Sequence, residues 1–276
     1  MNKIRPFLKW AGGKFLLAEK INKLLPQAEC LVEPFVGAGA VFLNSHKFER
    51  YQLNDINPDL INLYLLLQSQ PEILIKESAK LFADNQHNSE QRYYELRDEF
   101  NQSQDKLERS SLFIYLNRHG YNGLCRYNRT GLYNVPFGRY KKPYFPEWEM
   151  HAFAEKAQQA VFSCVDFQQA IKAAPDNSVI YCDPPYASLS NKPAPSFTGY
   201  AASAFNDEHQ QILGDLAATS RDDRQISVLV SNHDTKLTRK IYKPATRRRY
   251  FQVGRYISRK GQDRKPVKEV FALYKA

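Results

Sequence analysis

Residues 179–186, Val179-Ile180-Tyr181-Cys182-Asp183-Pro184-Pro185-Tyr186, combine the side chains in this sequence best suited to do chemistry. An apolar, β-forming run stops at an acid, two prolines and an aromatic. Prolines fix their own φ and cannot continue a sheet, so the spacing predicts a strand ending in a rigid loop, where open α/β sheets bind ligands. An amino group on an aromatic base is a poor nucleophile, because its lone pair is delocalised into the ring. Asp183 and a proline carbonyl, with Pro184 the candidate, can each accept one amino hydrogen and turn the lone pair toward an electrophilic methyl, while Tyr186 stacks on the base. The bland alternative is a turn that merely ends a strand.

Such a loop needs a cofactor site beside it. Leu31 to Phe35 reads as a strand, Gly37-Ala38-Gly39 as a turn, and the residues through Phe42 and Leu43 as a helix. A second strand, Tyr51 to Asp55, ends in an acid sixteen residues beyond Gly39, and Asn57-Pro58 supplies a cap and first-turn proline for the next helix. Together these make a βαβ nucleotide-binding half. The glycine turn alone is a weak signal, since such turns close many ordinary strand-helix units. Asp55 strengthens it, because a carboxylate there can accept hydrogen bonds from both ribose hydroxyls of a nucleoside. The glycines let backbone approach the ligand, and Glu33 beneath them can meet a cationic or polar group. Ala11-Gly12-Gly13-Lys14 lacks the spacer and following hydroxyl of a phosphate-binding loop; Trp10 and Lys14 read instead as a polar, partly aromatic lip over the cofactor.

The elements that must position these residues follow from periodicity. Apolar residues recur at helical spacing through residues 57–117 (Leu60, Leu63, Tyr64, Leu67, Phe100, Leu112, Tyr115, Leu116), which predicts a helical insertion. Around Asn128-Arg129-Thr130-Gly131, β-formers from Leu124 to Phe137 predict a hairpin. The α/β pattern then resumes with strands near 161–164, 179–182 and 226–230 and a helix after Asn206. The 276 residues are enough for one large α/β domain with an insertion, or for two modest domains.

Hydrophobic residues make up 43% and charged residues 25%, which excludes a disordered chain. No apolar run is long enough for a membrane span and the first residues lack a signal-peptide pattern, so a cytoplasmic protein is expected. Cys30, Cys125, Cys164 and Cys182 show neither metal-ligand nor disulfide spacing and read as small buried hydrophobes; no metal site is expected. The net charge of +10 is segregated: residues 118–142 carry six Lys or Arg and no acid, and residues 236–268 carry thirteen against one acid. These windows hold a surplus of eighteen positive charges and leave the rest of the chain negative by eight. Segregation of that kind fits a nucleic-acid backbone, duplex DNA being the commonest match and RNA giving the same pattern.

Taken together, the motifs resemble those of the Dam family of bacterial DNA adenine-N6 methyltransferases. The likeness runs essentially full length, through residues 7–14, Glu33 to Gly39, Tyr115 to Tyr144, Asp183 to Tyr186, and Ser231-Asn232-His233-Asp234. It implies a Rossmann-like S-adenosylmethionine-dependent methyltransferase sheet, with the catalytic domain in 1–56 and 145–276 and a target-recognition domain, helical bundle plus hairpin, in 57–144. It implies S-adenosylmethionine as methyl donor, bound by Trp10, Lys14, Glu33, Phe35, Gly37, Gly39, Asp55 and Asp183. It implies double-stranded DNA containing GATC as the partner. Within Gly120 to Arg126, Tyr121 would wedge into the base stack, Asn122 contact the opened strand, and Arg126 read a guanine through O6 and N7. Lys9, Leu124 and Pro136 complete the implied GATC contacts, with Arg139 and Tyr140 in the same DNA-binding set. A base inside a duplex must be flipped out to be methylated, which calls for a wedge and a pocket. One chain suffices for a duplex, so a monomer is the expectation.

One stretch departs from the family, Ser258-Arg259-Lys260-Gly261, which is more basic than the polar run expected there. Methylation of cytosine N4 more often uses Ser where this chain has Asp183, and methylation of protein glutamine or RNA amines Asn. A DNA-binding protein without catalysis would not need Asp55, Asp183 and the glycine turn intact.

Overall fold

The computed structural model describes residues 3–83, 87–189, 205–254 and 266–276; the departure at 258–261 lies outside them. Strands β1 Cys30–Glu33, β2 Arg50–Asn54, β3 Ala160–Ser163, β4 Ser178–Cys182, β5 Ser227–His233, β6 Arg247–Val253 and β7 Val267–Tyr274 form one sheet in the order β3-β2-β1-β4-β5-β7-β6. The first five are parallel, whereas β7 runs antiparallel to both β5 and β6. Strand order reverses between β1 and β4, the switch point at which doubly wound sheets open a crevice. This is the Rossmann-like α/β sheet that the sequence predicts. The β6–β7 pair is not legible in it, because the exposed Arg247-Arg248-Arg249 run carries no inside-outside alternation.

Burial alternates along the strands and splits the apolar side chains between two faces. Leu31, Tyr51, Leu53, Val179, Tyr181, Leu229 and Phe271 belong to one core cluster; Val32, Ile180, Cys182, Val228, Val230, Val270 and Ala272 belong to another. Helices α1 Ala18–Leu24, α2 Ala40–Leu43 and α3 Pro58–Ser69 cover the first face, joined by α7 Glu147–Ala157. Helices α8 Phe167–Lys172, α9 Asp207–Arg224 and α10 Lys236–Ile241 cover the second. The cap predicted at Asn57 forms, its side chain accepting from the Asp59 and Leu60 amides at 3.0 and 3.4 Å, and the helix expected after Asn206 begins there with Asn206 as its cap.

Helices α4 Pro71–Lys80, α5 Glu90–Gln102 and α6 Lys106–His119 fill the predicted helical stretch. Their apolar faces join the core of the first sheet face, through α3, which packs on both α6 and α7. Beyond α6 the chain folds into a loop rather than a regular hairpin. The Asn128 to Gly131 turn closes, but among the described residues its arms meet at the isolated bridges Gly120 to Phe137 and Tyr127 to Tyr133, with backbone bonds such as Asn134 N to the Arg126 carbonyl and Tyr121 N to the Pro136 carbonyl, and not in a continuous ladder. Three of the four cysteines are buried as expected, while Cys164 is exposed; all four are free thiols.

The loop is seated against the N-terminal segment by Asn117, which is 1% exposed. Its side chain accepts from Lys9 N at 2.8 Å and donates to the carbonyls of Lys9 at 2.8 Å and Gly123 at 3.3 Å. Gly123 has φ +60° and packs so closely that a Cβ there would lie 2.1 Å from Lys9 Cβ. At Gly131, φ +79°, an added Cβ would meet nothing within 4 Å among the described residues. Gly131→Ala should therefore cost only left-handed backbone strain, about 1 kcal/mol. Gly123→Ala should cost at least about 3 kcal/mol, since the clash adds to that strain. Equal denaturation midpoints for the two variants would show that the loop does not depend on this contact.

Candidate active site

Period-two alternation brings four polar side chains to one end and one face of the sheet. Tyr181 and Leu229 point into the first core cluster, and Phe271 does the same from β7. Glu33, Asp183, Ser231 and Glu269 stand two residues from Leu31, Tyr181, Leu229 and Phe271 and so face the same side, where β1, β4 and β5 end and β7 begins.

Asp183 is the centre of the group. The Lys14 ammonium lies 3.0 Å from its Oδ1, and Lys14 is only 6% exposed, so the carboxylate is what makes that buried charge tolerable. Ser231 Oγ donates to the same Oδ1 at 2.9 Å. Both protein donors thus engage one carboxylate oxygen, and among the described residues nothing bonds Oδ2. Lys14 also donates to the Gly12 carbonyl and stands 4.6 Å from the Tyr186 ring centroid.

The loop behind Asp183 is fixed from α9 and β5. Gln210 donates to the Pro185 carbonyl at 2.7 Å, and Ala187 N donates to Asn232 Oδ1 at 2.9 Å. The Asn232 amide in turn donates to Gln210 Oε1 at 2.8 Å and to Tyr242 OH at 2.9 Å. With Pro185 taken, the Pro184 carbonyl is the one without a partner among the described residues. Tyr186 donates to Glu269 Oε2 at 3.0 Å, and its ring meets His233 edge-to-face at 4.8 Å. Burial pushes the Glu269 carboxyl up, and the nearby Lys14 draws it back.

The glycine turn lies beside this loop. Gly37 and Gly39 have φ +48° and +70°, and a Cβ on Gly37 would come within 2.7 Å of the Trp10 indole nitrogen, which holds Trp10 over the turn. Asp55 is half-buried; Oδ2 accepts from Gly37 N at 3.1 Å and Oδ1 from Asn57 N at 3.0 Å. Burial raises its carboxyl to about 6, against the backbone bonds that favour the charge. Glu33 is 2% exposed, and its Oε1 has no hydrogen-bond partner among the described residues. Burial, and then the charge of Asp183, push it well above the ordinary range. A buried acceptor without a donor, beside a carboxylate at a glycine turn, fits a nucleoside whose far end bears a cationic or amino group. Phe35 stacks on Phe167 at 5.4 Å at the same edge.

The residues expected to face a nucleic acid cluster on the loop after α6. Lys9 Nζ sits 3.8 Å from the Tyr140 ring centroid and donates to the Arg118 carbonyl; burial, with the Arg118 charge, lowers it to about 8. Tyr121 is 40% exposed, and the Asn122 amide donates to Tyr140 OH at 3.0 Å. Arg126 is held by Asn134 through Nε at 2.6 Å and Nη2 at 2.9 Å. Pro136 and Arg139 are exposed. Leu124 differs from the rest, since its side chain lies in the core at 7% exposure. Sequence reasoning gave no role to Ser231, Asn232, Gln210, Tyr242 or Glu269. Only the first two lay in a recognised motif, and no pattern marks the other three.

Comparison with known proteins places these features in a group. Residues 10–253 match the family described as D12 class N6 adenine-specific DNA methyltransferase. The chain is 52% identical over 274 residues to a DNA adenine methylase of Vibrio cholerae, covering 99% of this chain and 97% of that one. It is 52% identical over 275 residues to the DNA adenine methylases of Haemophilus influenzae and Escherichia coli K12, covering 99% and 100% of this chain and 95% and 97% of theirs.

Proposed function

The chain belongs to the D12-class N6 adenine-specific DNA methyltransferases, and from that membership we propose that it methylates adenine N6 within GATC in double-stranded DNA, using S-adenosylmethionine and a flipped-out target base. The observation that carries the reading is the Asp183 to Tyr186 loop, with one carboxylate oxygen and one proline carbonyl left open and every other anchor engaged. The open Asp183 Oδ2 and Pro184 carbonyl accept the two amino hydrogens and so orient the nitrogen lone pair. Tyr186 offers its ring to the base. As the nitrogen gains a methyl it sheds a proton, and Asp183 holds it.

S-adenosylmethionine supplies the electrophilic methyl on its sulfonium. Asp55 takes its ribose hydroxyls, Glu33 the amino group that its unpartnered oxygen calls for, and Gly37 and Gly39 the close backbone approach, with Trp10, Phe35, Lys14 and Asp183 closing the site. Residues 57–144 serve as the target-recognition region and residues 1–56 and 145–276 as the catalytic one. On the DNA side Tyr121 is the wedge and Asn122 a contact to the opened strand. Arg126 reads a guanine, and Lys9, Pro136, Arg139 and Tyr140 complete the surface, with Leu124 seating the loop from within the core. The protein acts as a monomer in the bacterial cytoplasm. Among the described residues no helix is long and apolar enough to cross a membrane.

The raised Asp55 carboxyl gives this reading a pH signature. Charged, it accepts from both ribose hydroxyls; protonated, it loses part of that capacity. Affinity for S-adenosylmethionine should be full above about pH 7 and fall as the pH drops through about 6. Asp55→Asn should weaken binding by roughly 1–3 kcal/mol and flatten the pH dependence. Calorimetry that shows the same pH slope in the variant would remove Asp55 from the site.

The DNA-reading assignment is tested by methylation of a GATC duplex and its single-base variants at two salt concentrations. Arg126→Ala should cost about 1–3 kcal/mol at the cognate site and relax discrimination at one guanine. A double change of Arg247 and Arg248, exposed on edge strand β6, should weaken binding to all sequences alike and reduce the salt dependence. If Arg126→Ala slows every substrate equally, Arg126 anchors backbone only.

A further inference from the structure

Glu269 is a buried carboxylate that no motif marks and that the reaction as described leaves unused. It stands at 8% exposure on β7, the strand antiparallel to β5, opposite His233. The Tyr186 hydroxyl donates to its Oε2 at 3.0 Å, with the Ser231 hydroxyl as a second hydrogen-bonding neighbour. The Tyr186 ring is further confined by the His233 edge at 4.8 Å and the Lys14 ammonium at 4.6 Å. Placing a carboxylate so deep is unfavourable unless it is paired and hydrogen-bonded. Here its immediate surroundings are the Tyr186 hydroxyl, the Lys14 ammonium and the like-charged Asp183. A ring that stacks on a base must hold both tilt and distance, and a hydroxyl anchored at the far end of the ring fixes the tilt in a way that packing against His233 alone does not.

We propose that Glu269 is a positioning residue for methyl transfer: it tethers the Tyr186 hydroxyl so that the ring meets the target base at the angle that presents the amine to Asp183 and the Pro184 carbonyl. The proposal rests on the adenine-methylating reading above. What matters in it is the reach of the acceptor and not its charge. Glutamine keeps an acceptor oxygen at the same reach without the charge, whereas aspartate keeps the charge but draws it back by about 1.5 Å, one carbon–carbon bond.

The test is the single-turnover rate of methyl transfer from S-adenosylmethionine to a GATC duplex, both saturating, in the full-length protein. Glu269→Gln should stay within about threefold of the parent, and Glu269→Asp should be at least roughly tenfold slower with the KM for DNA little changed. In a Tyr186→Phe background, which has no hydroxyl to tether, neither change should alter the rate by more than about twofold. The reverse order, with Asp near the parent and Gln slow, would overturn the proposal by showing that charge is the requirement. So would equal effects of Glu269→Asp with and without the Tyr186 hydroxyl. A parent protein that transfers no methyl to GATC or its variants would overturn the functional reading instead, a result distinct from either.

Discussion

A buried ammonium must have a carboxylate beside it, and here the pair is Lys14 with Asp183, 3.0 Å apart at the mouth of a parallel sheet. That requirement organises the site. Lys14 lies on the N-terminal segment and Asp183 at the end of β4, so the pair docks the first residues of the chain onto the sheet's switch point. Because Lys14 and Ser231 bond the same carboxylate oxygen, the other is left without a hydrogen-bond donor among the described residues. The arrangement makes one acceptor from a group that has two.

The same short segment joins the parts of the molecule that must act together. Within six residues, Lys9 is held by Asn117 beside the loop after α6, Trp10 lies against Gly37 of the glycine turn, and Lys14 meets Asp183. Displacing it by the width of one methyl, as a Cβ on Gly123 would, therefore bears on all three. The continuous apolar core beneath, from Tyr133 and Phe100 through Tyr64 and Phe153 to Tyr181, gives that coupling a rigid base.

Local signals made much of this legible in the sequence. Two prolines after an apolar run marked the end of β4, and Asn57-Pro58 and Asn206 marked helix starts that the caps bear out. What was hidden depends on long-range contact. Strand β6 opens with three exposed arginines, as an edge strand can, and so shows no alternation to read. Glu269 and Gln210 look like ordinary surface residues until β7 and α9 are folded against the Pro185 and Tyr186 loop. The predicted hairpin was right about its turn, while its arms pair through isolated antiparallel bridges in place of a regular ladder, with Tyr133 and Leu124 turned into the core.

The central claim is that the open oxygen of Asp183 orients the amine. It is tested most directly by single-turnover methyl transfer to a GATC duplex in Asp183→Ala and Asp183→Asn, with binding of DNA measured alongside. The account predicts no detectable transfer by the alanine variant and at most a trace by the asparagine variant, while both still bind DNA, since the loop remains anchored through Gln210 and Asn232 and the Glu269 carboxylate still faces the Lys14 ammonium. A near-normal rate in Asp183→Ala would contradict it.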